Sequence, residues 1–211
     1  ESDFKTGKPN VYNEQASQIS NLAIKKSTGN TVEFWLKKDS LVDSSLTSRE
    51  VVFDCTTPSA GPYDPSHFRF LIELDTTTTA DHWRDIKGIT QRKLGTGAAI
   101  TGGDWNHHAF VISLTDSTDI MVLKYYNNGQ LNEEQAIYLK DGLPGDIDLG
   151  LAASLGAMAS KLENSQGGPG HGQLSGSLDE FRFWKAARSA QEVGFNYLSQ
   201  VHGGTNRSLV N

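Results

Sequence analysis

The sequence predicts an all-β sandwich with one short helix near the C-terminus. Three observations predict it: short segments of alternating apolar and polar residues recur along the chain, polar Gly- and Pro-rich stretches separate them, and a single late stretch has helical period. A chain of 211 residues buries roughly 70% of its unfolded surface on folding, enough for one core without staples. The lone Cys55 excludes an internal disulfide framework and a Cys-rich zinc site. A formal charge of -6 speaks against a nucleic-acid partner, because phosphate binding needs a basic surface. No apolar run approaches the ~18 residues of a membrane span, and ESDFKTGKPN lacks the regions of a signal peptide, so a soluble chain without membrane insertion is expected. The start at Glu1 and the open-ended HGGTNRSLVN read as a part of something longer.

The elements follow in order. TVEFWLKK puts Val32, Phe34 and Leu36 on one face and Glu33, Trp35 and Lys37 on the other, as in a half-buried strand. VVFDC places Cys55 on the face of Val51 and Phe53, as a small core residue. HFRFLIELD aligns Phe68, Phe70, Ile72 and Leu74. DWNHHAFVISL is apolar on both faces at its centre, so it reads as a central strand, with His107 and His108 sent to opposite sides and unable to chelate one metal. In IMVLKYYNNGQL, Asn-Gly supplies the positive φ angles of a tight hairpin, and Tyr125 and Tyr126 point opposite ways, so only one can be exposed. DIDLGLAAS aligns Ile147, Leu149 and Leu151. In ARSAQEVGFNYLSQV, Ser189 and Glu192 fit a capping box, and Val193, Tyr197 and Val201 form the stripe by which a short helix docks.

The chemistry-bearing stretch is GQLSGSLDEFRFWKAARSAQEV. Read as one regular strand, it puts Asp179 on the face of Phe181 and Phe183. A buried carboxylate needs a cation, N–H donors or a proton. A calcium ion at the rim, held by Asp179 and nearby carbonyls, would satisfy it; a turn cap or a Lys or Arg partner would too.

TVEFWLKK, DWNHHAFVIS, YYNNGQL and GSLDEFRFWKAARSAQEV match, in order, the blocks of laminin-G-like domains of the concanavalin A-like lectin/glucanase superfamily. The resemblance spans residues 18–201, leaving 1–17 as an N-terminal arm and 202–211 as a tail or linker. It implies a two-sheet antiparallel jelly roll, often with one structural calcium at the rim; the implied ligands are Asp179 with the backbone carbonyls of Gly29 and Asn30. The wording VEFWLKK, LDEFRFWK and QVHGGTN is most similar to such domains in large virion structural proteins of marine tailed phages.

The superfamily includes glucanases, and FLIELDTTTT resembles the start of the E-x-D-x-x-E strand of laminarinase-type hydrolases. Glu73 and Asp75 share a face there, but Thr77 and Thr78 stand where the third acid belongs, and a threonine cannot protonate a leaving group. Glu73 and Asp75 therefore read as solvated acids of an ordinary strand, and no catalytic residue is expected. For sugar binding, Trp83 and Tyr63 lie in polar surroundings and are the candidates, while Trp35, Trp105 and Trp184 read as packing residues. The sequence thus points to a non-catalytic structural or adhesion module of a larger phage virion protein, in contact with other virion subunits. The alternative is a carbohydrate-binding module for a surface polysaccharide, virion-borne or extracellular, and a degenerate glucanase comes third.

Overall fold

The computed structural model describes residues 22, 24, 27–39, 50–56, 69–74, 82–86, 92–95, 100, 102–114, 120–138, 151–159 and 172–200. The strands are β1 (Asn30–Lys37), β2 (Glu50–Thr56), β3 (Arg69–Leu74), β4 (His82–Ile86), β5 (Arg92–Lys93), β6 (Trp105–Leu114), β7 (Ile120–Asn127), β8 (Gln130–Tyr138), β9 (Ala152–Leu155) and β10 (Ser177–Trp184), followed by the helix α1 (Ala190–Asn196). They form two five-stranded sheets, ordered β10-β1-β6-β7-β8 and β5-β4-β3-β2-β9, with antiparallel neighbours throughout. Among the described residues the fold is the expected two-sheet antiparallel sandwich with one late helix.

The core lies between the sheets. Val32, Phe34 and Leu36 of β1, Phe110 and Ile112 of β6 and Tyr125 of β7 meet Phe53, Cys55, Phe70, Ile72 and Leu74 of the opposite sheet. The Phe53 ring bridges the layers, 5.0 Å from Phe181 and 6.2 Å from Phe183. Burial pushes the Cys55 thiol up, with a smaller push from Asp54, so it stays protonated. Strand β6 is the central strand that its apolar faces predict, flanked by β1 and β7. His108 faces the core and His107 the outer side.

A buried ion pair fastens the two layers where apolar packing stops, and a second braces one sheet. Lys38 Nζ, just past β1, donates to both carboxylate oxygens of Glu50 in β2, at 2.9 and 2.8 Å, and to the carbonyl of Ser175 at 2.7 Å. The Ser175 N–H returns a bond to Glu50 Oε2, so one cluster ties both sheets to the segment entering β10. In the second sheet Arg69 meets Asp54 at 2.6 Å, and Asp54 also accepts from the Ala159 N–H.

Two expectations fail at irregularities in the strands, the first at Val51. Register shifts between Val51 and Phe53, so Val51 leaves the face of Phe53 and Cys55 and packs with Leu71 and Met158. Tyr125 and Tyr126 do point opposite ways, and both are buried, because α1 covers the face that Tyr126 occupies. Strand β9 starts at Ala152, just after Leu151, which lies in the core; Ile147 and Leu149 lie outside the described residues, as do Phe68, Tyr63 and Asp75.

The hairpin and the helix form as their residues dictate. Asn128 and Gly129 take φ angles of 48° and 77° between paired Asn127 and Gln130, the two-residue turn that Asn-Gly favours. The capping box is complete: Ser189 accepts from the Glu192 N–H while the Glu192 side chain accepts from the Ser189 N–H. The helix ends at Asn196, so Val193 is its buried anchor, Tyr197 is the cap, and Val201 lies outside the described residues. The helix docks on the hairpin itself: a Cβ on Gly129 would stand 2.7 Å from Cδ1 of Tyr197. Gly129→Ala therefore meets both a left-handed φ and a ring, and is expected to cost about 1–2 kcal/mol in a denaturant melt.

Candidate functional site

The second irregularity reshapes the site expected around Asp179. In the β1–β10 pair the register shifts between Glu33 and Trp35, and Glu180 takes φ 48°. Two residues, Glu180 and Phe181, thus stand opposite Phe34, and this bulge reverses the side-chain alternation. Leu178, Phe181 and Phe183 pack on the core, while Asp179 turns to the outer face and is exposed. The bulge is held locally, since Asp179 Oδ1 accepts the Glu180 N–H at 2.8 Å.

The implied calcium ligands are not brought together. Asp179 lies opposite Trp35, whereas Asn30 is five residues further along β1, about 16 Å at the usual rise per residue. Asn30 is buried and its amide donates to the Trp184 carbonyl. Gly29 has φ 69°, and a Cβ there would fall 2.3 Å from the Ile112 carbonyl, so the glycine lets two strands approach. The set Asp179, Gly29 and Asn30 does not fit one calcium ion, and among the described residues no group of three or more His, Cys, Asp or Glu could hold a metal.

The glucanase-like strand has also been closed off. Glu73 is 1% exposed, on the side of β3 away from the core, opposite Val51. It is a buried residue and not a solvated acid. Trp83 lies in β4 opposite Arg92, in the other sheet from Asp179, and Tyr63 lies outside the described residues.

What the outer face of the first sheet assembles instead is an aromatic strip over a buried ionic cluster. Trp105 opens β6 opposite Lys37, and Trp35 pairs with His107. Trp105 and Trp35 are therefore diagonal neighbours, about 7–8 Å apart. Trp35 is half-buried and stacks on Tyr197 at 6.1 Å, and His107 meets both rings. Trp105, at 43% exposure, is the large aromatic of the strip that water reaches, where the sequence alone suggests a packing residue. The signal that could have found it is positional: it is the first residue of its strand, next to a Gly-Gly-Asp turn that offers it no cover.

The strand beneath Trp105 is held rigidly. The His107 N–H donates to Asn128 Oδ1 at 2.8 Å, the Asn128 N–H donates to the His107 carbonyl, and Asn128 Nδ2 donates to Asn106 Oδ1. The Gly102 and Gly103 N–H groups both donate to the Lys38 carbonyl, and the Asp39 carboxylate lies over Gly103. Asp39, Asp104, Lys37 and Asp179 are exposed around the strip.

Behind it, Glu33 is fully buried. Arg188 Nη1 lies 2.7 Å from Glu33 Oε1, Arg182 Nη1 lies 3.6 Å from Oε2, and His107 Nε2 lies 3.8 Å from Oε2. Burial lifts the Glu33 carboxyl, but His107 and the Arg188 guanidinium outweigh it and hold the group below its ordinary value. Arg188 also sits 4.2 Å above the Trp184 ring and donates to the Glu192 carbonyl in α1.

A laminin G family profile, described as the concanavalin A-like lectin/glucanases superfamily, matches residues 12–194. The chain belongs to that superfamily. No curated protein matches its sequence. Among solved structures it is similar to the SAP-like pentraxin of Limulus polyphemus, at 16% identity and TM-score 0.53, over 82% of this chain and 69% of that one. It is similar to the CBM40 of the Ruminococcus gnavus IT-sialidase, at 14% identity and TM-score 0.51, over 90% and 88%. It is similar to the enzymatically active domain of tailspike protein 2 of bacteriophage CBA120, at 10% identity and TM-score 0.54, over 92% of this chain and 27% of that one. At these identities the likeness is one of fold.

Proposed function

We infer that this chain is a non-catalytic binding module of a larger protein. The observation that carries the reading is the exposed Trp105 on a braced sheet face. An indole left in water at a rigid site gains apolar contact without paying to order itself, which is what a recognition surface needs. Burial of Glu73 supports the absence of chemistry, because a polysaccharide must touch the carboxylate that cleaves it.

The setting proposed is adhesion: the module attaches its parent to a neighbouring subunit or to a surface. The fold likeness to a phage tailspike domain supports a tailed-phage particle as the parent, with other virion proteins as partners. A carbohydrate ligand is the second reading, favoured by the ring of Trp105 among side chains that bond hydroxyls. The CBM40 of similar fold has been solved bound to alpha2,3 sialyllactose, and a Bacteroides ovatus structure of similar fold is described as a putative carbohydrate binding protein.

Incubation with laminarin and lichenan tests the absence of catalysis. New reducing ends are expected to stay at the level of the buffer blank, and turnover would overturn the reading.

A further inference from the structure

We propose that the outer face of the first sheet, across β6, β1 and β10, is a subsite for an uncharged polysaccharide, with Trp105 as its stacking platform. The proposal rests on the reading of the chain as a binding module and names the ligand class and the residues that take it.

The sheet register lays out the contacts. Trp105, Lys37 and Ser177 form one row across three strands, and His107, Trp35 and Asp179 form the next. Trp105 and Asp179 stand two strand spacings apart across the sheet and two residues apart along it, about 12 Å, a span that two to three joined sugar rings cover. A pyranose presents one apolar face, which stacks on an indole, and a rim of hydroxyls that need acceptors. Asp179 has one carboxylate oxygen engaged with the Glu180 N–H, leaving the other for a hydroxyl. Lys37 between them is a donor to ring or hydroxyl oxygens. The row of His107 and Trp35 is covered by the Tyr197 ring, so the open floor is the row of Trp105, Lys37 and Ser177, with Asp179 beside it.

Charge selects the class. Around Trp105 the exposed ionic side chains among the described residues are Lys37 against Asp39, Asp104 and Asp179, one positive and three negative. A uronate or sulfated chain would bring its charge against this excess, and like charges placed together cost binding. A neutral hexose chain meets no such repulsion, and carboxylates are strong acceptors for its hydroxyls.

Affinity electrophoresis of the purified chain in gels of laminarin, galactomannan and xyloglucan, with alginate and carrageenan as the anionic arm, tests this. Retardation is expected in at least one neutral gel and in neither anionic one. Trp105→Ala is expected to weaken it about tenfold or more, with Asp179→Ala weakening it less. Trp83→Ala, in the other sheet, is expected to leave it unchanged. Trp105 is exposed and takes no part in the bulge, so its variant should keep the parent melting temperature and its gel reports contact and not folding; Asp179→Ala also loses the acceptor of the Glu180 N–H, so its gel is read beside its own melt. Full retardation of Trp105→Ala would overturn the site. Retardation by anionic gels alone, or by none, would overturn the ligand class while leaving the binding-module reading standing, because that reading falls to turnover and not to this measurement.

Discussion

Arg188→Ala is expected to destabilise the fold by about 3–5 kcal/mol, the usual cost of stripping the partner from a buried charge. The Glu33 carboxylate is fully buried, and among the described residues its contact at hydrogen-bond length is the 2.7 Å approach of Arg188; Arg182 Nη1 stands off at 3.6 Å while its Nη2 bonds Glu180 and the Ser199 carbonyl. The same substitution removes a cation from the Trp184 face and a donor from the end of α1, and the helix covers Ala109, Val111 and Tyr126. At about 2–4 °C per kcal/mol for a chain of this size, the melting temperature should fall by about 10 °C. The double variant Glu33→Leu with Arg188→Leu separates charge from contact: replacing the pair by apolar groups should recover a good part of the loss. A single Arg188→Ala variant melting with the parent would show that the cluster contributes nothing.

Folding stability should fall with acid from about pH 6.5 downward, with His108 as the main cause. Burial first, and then the charge of His107, push the His108 pKa down from 6.5 to about 3. Its Nδ1 shares a hydrogen bond of 2.8 Å with the Tyr125 hydroxyl, and its ring stacks on Phe34. Between these two values the unfolded chain takes a proton on this histidine and the folded chain does not, so protonation favours unfolding and stability rises with pH. The slope is at most about 1.4 kcal/mol per pH unit. Glu33, with a lowered pKa, acts in a lower window: its contribution is full above the ordinary carboxyl value of 4.5 and is lost as the pH falls through its folded value. Urea melts at pH 7, 6, 5 and 4 should show the slope, and His108→Gln, which keeps a partner for Tyr125, should flatten it above pH 5. An unchanged slope in that variant would place the titration elsewhere.

Much of the architecture was legible because it depends on neighbours in the chain. Period-two alternation in TVEFWLKK and DWNHHAFVISL set which residues face the core, and Asn128-Gly129 set a turn whose φ angles few other residues accept. Ser189 and Glu192 are three residues apart and cap each other without outside help. Alternation misleads wherever an extra residue enters a strand. The bulge at Glu180 turned Asp179 from an expected core carboxylate into an exposed one, and the shift near Val52 separated Val51 from Cys55. Each depends on how two strands distant in sequence settle against each other, which no local pattern records.

The same division runs through the site. That the chain is an acidic, cysteine-poor, all-β domain of the concanavalin A-like superfamily followed from composition, punctuation and the ordered blocks of sequence. Which tryptophan meets water, which acid is sealed and whether Asp179 stands near Gly29 were decided only by the folded sheets. Exposure is a property of what covers a residue: α1 returns over Tyr126, Arg188 just ahead of it covers Trp184, and Trp105 stays 43% exposed. A sequence specifies which face of a strand a side chain takes, and the packing of distant segments decides whether that face reaches solvent.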